Sequence, residues 1–400
     1  MAGNIVNLGD GKYRLRYKEY SKYVKAKNDS TADKLLAKYI TDIDSGDFTE
    51  PSKVTLKEFV KKWLKEYAEV ELAPKTVFRY KQLLDSRILP AFGDEKLHKI
   101  KPLELLEFYN SLRKDHKYME LNKKGVRELV KSAPLSENTI RHHHRLLSAL
   151  FEKAIKWEVL KGKNPAHGID APKVTKKNPK FYTENQVNTM LQSLESEDIK
   201  YRAAIMILIS TGARVGEVMG LTWADIDEKG KIITIRQASQ YLPGQGTFTK
   251  TPKNESSQRK VSVNSSLINL LGEYKADQQS KNFICQENNP LFVTWDSKPM
   301  NTYTLSHWFP KFLKRHNLPH LNVHGLRHTS ATYLIGQGMD LQTVSGRLGH
   351  AKVSTTTDVY SHFLESKDKK AADMIEKAFG KKKESRKICL FFCLLIQAIG

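Results

Sequence analysis

Arg214 opens a helical stretch in the run Ser210-Thr-Gly-Ala-Arg214-Val-Gly-Glu217. A buried arginine is uncommon unless paired, and Glu217, one turn later, stands where a charge-assisted bond can hold it. Further along, His324-Gly-Leu-Arg327-His328 sets His324 and Arg327 on one helix face. His324 and His328 also have the i,i+4 spacing of a zinc pair, but Gly325 stands where a zinc protease needs its glutamate. Then come Gly349-His350 and, ten residues later, Tyr360. The approach to that tyrosine, Ser354-Thr-Thr-Thr-Asp-Val, makes a poor helix interior and a good cap, so it would present the hydroxyl at a helix start. Guanidinium forks grip anionic oxygens, and imidazoles move protons near neutral pH. Taken singly, these groups also fit a structural Arg–Glu pair, a capped helix start and a core or surface tyrosine.

The charge of the whole chain is more telling. Its 400 residues carry 66 Lys and Arg against 44 Asp and Glu, for a net charge of +22. Such an excess points to a polyanionic partner, nucleic acid first and a membrane surface second. The excess is +1 over residues 1–50, +12 over 51–177 and +9 over 178–400, so the middle segment is expected to be the main phosphate grip.

The elements that must position these groups can be read in outline. In segment 1–50, Tyr13, Leu15 and Tyr17 alternate with Arg14 and Arg16, which predicts a strand with one apolar and one basic face. The arginine face either solvates the sheet or meets DNA. Ser30 is the expected cap of a helix carrying Leu35, Leu36 and Ile40. Helical spacing dominates 54–160, with starts at Thr55, Pro74, Pro102 and Ser136 and a very basic stretch at 114–131. Residues 171–180, with two prolines and four lysines, have linker composition. Beyond them Thr183 and Gln186 form a capping box, 203–209 are apolar all round, and a β insertion spans roughly 231–263. Helices then resume to about residue 379.

Several classes are excluded. Gly (22) and Pro (14) are too few for a collagen-like or low-complexity chain. Three cysteines make neither a disulfide framework nor a cysteine-rich zinc site, and they suit a reducing compartment. The first residues lack a basic-then-apolar leader, and the apolar run 388–400 is too short to span a bilayer. A soluble cytoplasmic protein is expected.

Taken in order, Arg214, Lys253, His324, Arg327, His350 and Tyr360 resemble the active site of the tyrosine recombinase (phage integrase) family. The likeness is greatest to integrases of phages and conjugative transposons of Gram-positive bacteria. Thr211, Gly212, Arg214, Glu217 and Leu221 match the context of the family's first arginine. His324-Gly-Leu-Arg327-His328 matches its H-x-x-R-H element, and Leu348-Gly349-His350 its L-G-H. Lys250 and Lys253 both fall in the region of the family's hairpin lysine, with Lys253 the better fit.

The resemblance implies a mainly α protein with small β elements (α+β). Its parts would be a three-stranded-sheet arm-site-binding domain (1–50), a helical SAM-like core-DNA-binding domain (54–170), a linker (171–180), a mixed α/β catalytic domain (181–380) and a tail (381–400). The apolar end of that tail would dock in trans on a neighbouring protomer. Arg214 and Arg327 would bind the phosphate oxygens, His324 would act as base, Lys253 as acid, His350 as a hydrogen-bond donor and Tyr360 as nucleophile, with Glu217 orienting the site. DNA contacts are expected at Arg14, Arg16, Lys75, Arg79, Arg141, His142 and Arg145, and more generally along His142-His143-His144. No metal or other cofactor is implied. Double-stranded DNA with core and arm sites, a homotetramer, an excisionase and a host DNA-bending protein are the implied partners, and a nucleoid-associated cytoplasmic location is implied too. A type IB topoisomerase and a non-catalytic DNA-binding regulator on the same scaffold are the alternatives.

Overall fold

A computed structural model of the chain describes residues 3–44, 53–114, 116–121, 127–175, 179–250, 258–350, 353, 354, 357 and 372–379. Lys253, Tyr360 and the tail 381–400 lie outside the described residues. Two compact units meet in sequence between residues 176 and 177, within the Pro/Lys-rich stretch.

The first unit opens with an antiparallel sheet in the order β1 (Asn4–Asn7), β2 (Lys12–Tyr17), β3 (Tyr20–Lys25), followed by α1 (Asp29–Asp44). The strict alternation of β2 buries Tyr13, Leu15 and Tyr17, where they pack with Ala32, Leu35 and Tyr39 of α1. Arg14 and Arg16 are left on the open face. The cap of α1 differs from the expectation at Ser30. Asn28 accepts from the Thr31 backbone N–H at 3.0 Å and from its hydroxyl at 2.6 Å, because a helix beginning at residue 29 needs its acceptor one residue earlier.

A separate helical core follows. Its elements are α2 (Leu56–Trp63), α3 (Pro74–Leu83), α4 (Pro102–Leu112) and α5 (Glu137–Lys156). Thr55 caps α2 through a full capping box with Glu58, and Ser136 caps α5. Both α2 and α3 run on through a widened turn, at Leu64–Ala68 and Leu84–Ile88, before ending. Phe59, Trp63, Leu84, Leu105, Leu147 and Phe151 are all but fully buried there. The basic stretch between α4 and α5 pairs as a hairpin, β4 (His116–Leu121) with β5 (Arg127–Ser132).

The second unit is built on α7 (Ile199–Thr211), which follows α6 (Glu184–Leu194). Segment 203–209 of α7 is apolar on every side, and the helix packs against both α9 (Ser265–Ser280) and α11 (Val323–Gly336). Between α7 and α9 lie the short α8 (Val215–Val218) and the strands β6 (Ile226–Asp227), β7 (Ile232–Ile235), β8 (Ala238–Leu242), β9 (Gly246–Lys250) and β10 (Arg259–Ser262). They form one sheet in the order β10-β7-β6 and a hairpin of β8 with β9. α10 (Thr302–Arg315) and α12 (Leu341–Leu348) complete the unit. No helix among the described residues is long and apolar enough to cross a membrane.

Candidate active site

Arg327 is the anchor of the site. Asn322 caps α11 by accepting from the Gly325 N–H at 2.8 Å, which puts His324 in the first turn and Arg327 one turn deeper. The Arg327 side chain is buried, and its Nη1 donates to the carbonyl oxygens of Gly212 and Leu348, each at 2.8 Å. Those carbonyls close α7 and α12, so one guanidinium joins the ends of two helices remote in sequence. Glycine is required at both corners. Gly212 (φ 64°) and Gly349 (φ 71°) are left-handed, and a Cβ would meet Leu348 Cδ2 at 2.5 Å at the first and Arg259 Nη1 at 2.7 Å at the second.

Arg214 stands two residues beyond Gly212, at the N-cap of α8. Its Nη1 donates to Glu217 Oε1 at 2.7 Å, and its backbone N–H donates to Oε2 at 2.9 Å. Glu217 is 4% exposed and also accepts from Arg259 Nη2 at 2.8 Å. Burial pushes this carboxyl up, but Arg259 first and Arg214 second outweigh it and hold its pKa below the ordinary range. Arg259 Nε donates in turn to the Arg347 carbonyl at 2.7 Å, and Arg347 Nη2 to the carbonyls of Ser210 at 2.7 Å and Ser262 at 3.0 Å.

The histidines complete the convergence. His350, half-buried, has its pKa pushed down to about 4 by burial and then by Arg327, Arg214, Arg259 and His324. His324 is lowered by burial, Arg327 and Arg214. Both rings thus feel both arginines, so the four groups share one electrostatic neighbourhood. His328 packs edge-to-face on His324, with ring centroids 4.8 Å apart, and is lowered to about 4 by burial, His324 and Arg327. All three rings are thus held below the ordinary imidazole range, which favours their neutral forms. Among the described residues of this cluster, Arg214 and Arg259 share the carboxylate of Glu217, while Arg327 and Arg347 are bonded to neutral backbone carbonyls. Such a surplus of fixed positive charge suits a phosphodiester.

Sequence reasoning placed Arg214, Glu217, His324, Arg327 and His350 in the site, and the structure brings all five together. Lys253 and Tyr360 are outside the described residues, and Lys250 is the last residue of β9. Arg259 and Arg347 were missed. Arg259 had a signal: it shares the inward parity of β10 with buried Val261, and a cation at an inward strand position needs a partner.

The first unit carries a second basic cluster. Lys75 and Arg79 lie exposed one turn apart on α3, and Arg141, His142 and Arg145 lie on the outward side of α5. His142 is lowered by burial and then by Arg145, Arg79 and Arg141, which brings the two helices' cations together. The neighbouring histidines correct the expectation of a DNA-facing run. His143 is buried, donates from Nδ1 to the Thr139 carbonyl at 2.9 Å and has its pKa pushed down to about 4, chiefly by burial. His144 turns its Nδ1 to the Tyr109 hydroxyl at 3.3 Å. Successive helical residues diverge by about 100°, so only His142 can share the outer face. On the sheet, Arg14 lies over the exposed Tyr23 ring at 5.9 Å, and Arg16 is exposed beside it.

Comparison with known proteins puts this fixed, positively charged site in a tyrosine-type site-specific recombinase, a DNA strand transferase. Residues 180–367 match the phage integrase family, and residues 55–113 match the phage integrase N-terminal SAM-like domain. The chain belongs to the phage integrase family. It is 28% identical over 311 residues to the ICEBs1 integrase of Bacillus subtilis (strain 168), covering 77% of this chain and 79% of that protein. It is 24% identical over 288 residues to the integrase of Staphylococcus phage L54a, covering 66% and 79%. Among solved structures, the Tn1549 transposon integrase in complex with transposon right end DNA shares the fold, with a TM-score of 0.65, 23% identity and coverage of 81% of this chain and 99% of that one.

Proposed function

We propose that this protein is a site-specific integrase that cuts and rejoins the DNA of a phage or conjugative transposon through a covalent intermediate at Tyr360. One observation carries the reading: the Arg327 guanidinium, bonded to the Gly212 and Leu348 carbonyls, draws Arg214, His324 and His350 to a common point.

The chemistry follows from the groups. Arg214 and Arg327 take the two non-bridging oxygens of the scissile phosphate and stabilise the charge that builds in the transition state, worth about 3–4 kcal/mol for a single donor. A tyrosine hydroxyl has an ordinary pKa near 10, so attack by Tyr360 needs a base. His324, whose neutral form is favoured by burial beside Arg327 and Arg214, can accept the phenolic proton. The Tyr360 oxygen bonds to phosphorus as the bond to the 5′ oxygen breaks, and Lys253 gives the leaving oxygen its proton. His350 donates to a phosphate oxygen. The 3′-phosphotyrosyl product conserves bond energy, so a 5′-hydroxyl of a second duplex can reverse the step.

In this reading residues 181–380 form the catalytic domain, 54–170 clamp the core site through Lys75, Arg79, Arg141, His142 and Arg145, and 1–50 bind arm sites through Arg14 and Arg16. The protein acts as a homotetramer on DNA, with an excisionase and a host DNA-bending protein as accessory partners, and it works at the nucleoid. Structures of related proteins support such an assembly: a lambda integrase tetramer bound to a Holliday junction shares the fold, with a TM-score of 0.52 and 18% identity.

A nicked half-site duplex tests the reading. Wild-type protein should form a covalent protein–DNA adduct, and Tyr360→Phe should bind the same DNA and form none. An adduct that persists in Tyr360→Phe places the nucleophile elsewhere. Two marked duplexes incubated together should exchange strands, which relaxation alone does not produce.

A further inference from the structure

We infer that Arg259 is a positioning residue for strand transfer: it holds Glu217 as the carboxylate that aims Arg214, and it fixes the turn that carries His350. The inference rests on the reading of Arg214 as a phosphate ligand. Three contacts support it. Arg259 Nη2 donates to Glu217 Oε2 at 2.8 Å, while the same carboxylate takes the Arg214 guanidinium at 2.7 Å and the Arg214 N–H at 2.9 Å. Arg259 Nε donates to the Arg347 carbonyl at 2.7 Å, three residues before His350. Its Nη1 lies so close to Gly349 that a Cβ there would stand 2.7 Å away, so the guanidinium packs against that corner. One planar group therefore touches the element that bears Arg214 and the turn that carries His350, and it begins β10.

The physics separates this role from simple packing. Glu217 is 4% exposed, and a carboxylate so buried stays ionised only with partners. Arg259 and Arg214 are the charged groups that face it; around them stand Arg327 and His324 of α11 and Arg347 and His350 at the end of α12. β8 packs on the same short helix with the backbone of Ala238 and Ser239, against Gly216 and Gly220, and brings no charge. Arg214 is 43% exposed in its side chain, whereas Arg259 is only 7% exposed, so Arg214 is free to turn to a phosphate while Arg259 keeps the carboxylate charged. Without Arg259 the carboxylate would take up a proton more readily, lose hold of the Arg214 fork and let it swing.

The test is single-turnover cleavage of a nicked half-site by full-length protein from about pH 6 to about pH 9, with DNA affinity measured in parallel. Arg259→Gln should slow cleavage by about ten-fold at unchanged affinity, the scale of one lost charge-assisted hydrogen bond. The deficit should shrink as pH rises, because alkali restores the Glu217 charge. Glu217→Gln should be slow at every pH, and Arg259→Gln with Glu217→Gln should be no slower than Glu217→Gln alone. Arg259→Lys, which keeps the charge, should recover part of the rate. Wild-type rates in Arg259→Gln, a deficit equal at all pH values, or full additivity in the double variant would overturn the inference. If Arg259→Gln does not fold, Arg259→Lys combined with Glu217→Gln decides by the same additivity criterion. Arg214→Lys separates the two readings: normal cleavage in that variant removes the phosphate-ligand role itself, whereas its loss beside normal Arg259→Gln overturns only the positioning role.

Discussion

Two clusters of cations in this protein have the same sign and opposite construction. Around Arg327 the guanidinium groups are tied to carbonyls and a carboxylate, with Arg327 itself buried at 2% exposure. On the first unit, Lys75, Arg79, His142 and Arg145 stand exposed on two helices. Burying charge costs several kcal/mol and is tolerated only where geometry satisfies it, so nature spends that cost where position matters. Fixed donors stabilise a transition state without reorganising, whereas exposed, flexible cations gather phosphates by releasing counterions and need no exact geometry. In the proposed function, one cluster serves rate and the other affinity.

The contrast breaks most sharply at Arg327. Arg327→Lys keeps the charge but not the fork, and it should reduce single-turnover cleavage by about 10²-fold or more while leaving half-site affinity within a few-fold. A parallel loss of affinity and rate would erase the distinction between the clusters. On the first unit, Arg79→Ala and Arg145→Ala should each weaken binding across sequences and lower the slope of log K against log salt by about 0.9, with the cleavage rate at saturating protein unchanged. A fall in that saturated rate would mean that the outer cluster takes part in chemistry.

Acid sharpens the comparison. His328 and His350 in the second unit, and His143 in the first, have pKa values pushed down to about 4. Between about pH 6.5 and about pH 4 the unfolded chain binds protons that these folded rings refuse, so stability falls as pH drops through that window and is level above it. Thermal melts of the full chain should show the melting temperature declining below about pH 6.5, and His328→Asn should flatten the decline by about one proton's worth of slope. A melting temperature flat to pH 4 would contradict the burial of these rings. The smallest expected effect is that of a chelator: EDTA should leave half-site cleavage unchanged, since the proposed charge stabilisation comes from arginines. Loss of cleavage on chelation would return the His324–His328 pair to consideration as a metal site.

Much of this could be read from local pattern. The alternation at Tyr13, Leu15 and Tyr17, the cap at Thr55, the capping box at Thr183, the apolar segment 203–209 of α7 and the Arg214–Glu217 pair all arise from contacts within a few residues, which periodicity encodes directly. The order of Arg214, His324, Arg327 and His350 along the chain was equally legible, because each sits in its own short motif. The two misreadings also have local causes. Ser30 and Asn28 are both good caps, and only the helix start chose between them. Three consecutive histidines look alike in sequence, and only packing against Phe108 and Tyr109 sent His143 and His144 inward.

What the fold alone decided is which charges are held and by what. A linear pattern shows neither that Arg327 spans from the Gly212 carbonyl to that of Leu348, nor that Arg259 reaches Glu217 across from β10. Those bonds join residues brought close only after α7, α11, α12 and the small sheet have packed. The sequence by itself determined the kinds of groups and the helices that present them. The tertiary structure determined which of those groups lose their water, and desolvation is what turns a solvated side chain into a fixed charge.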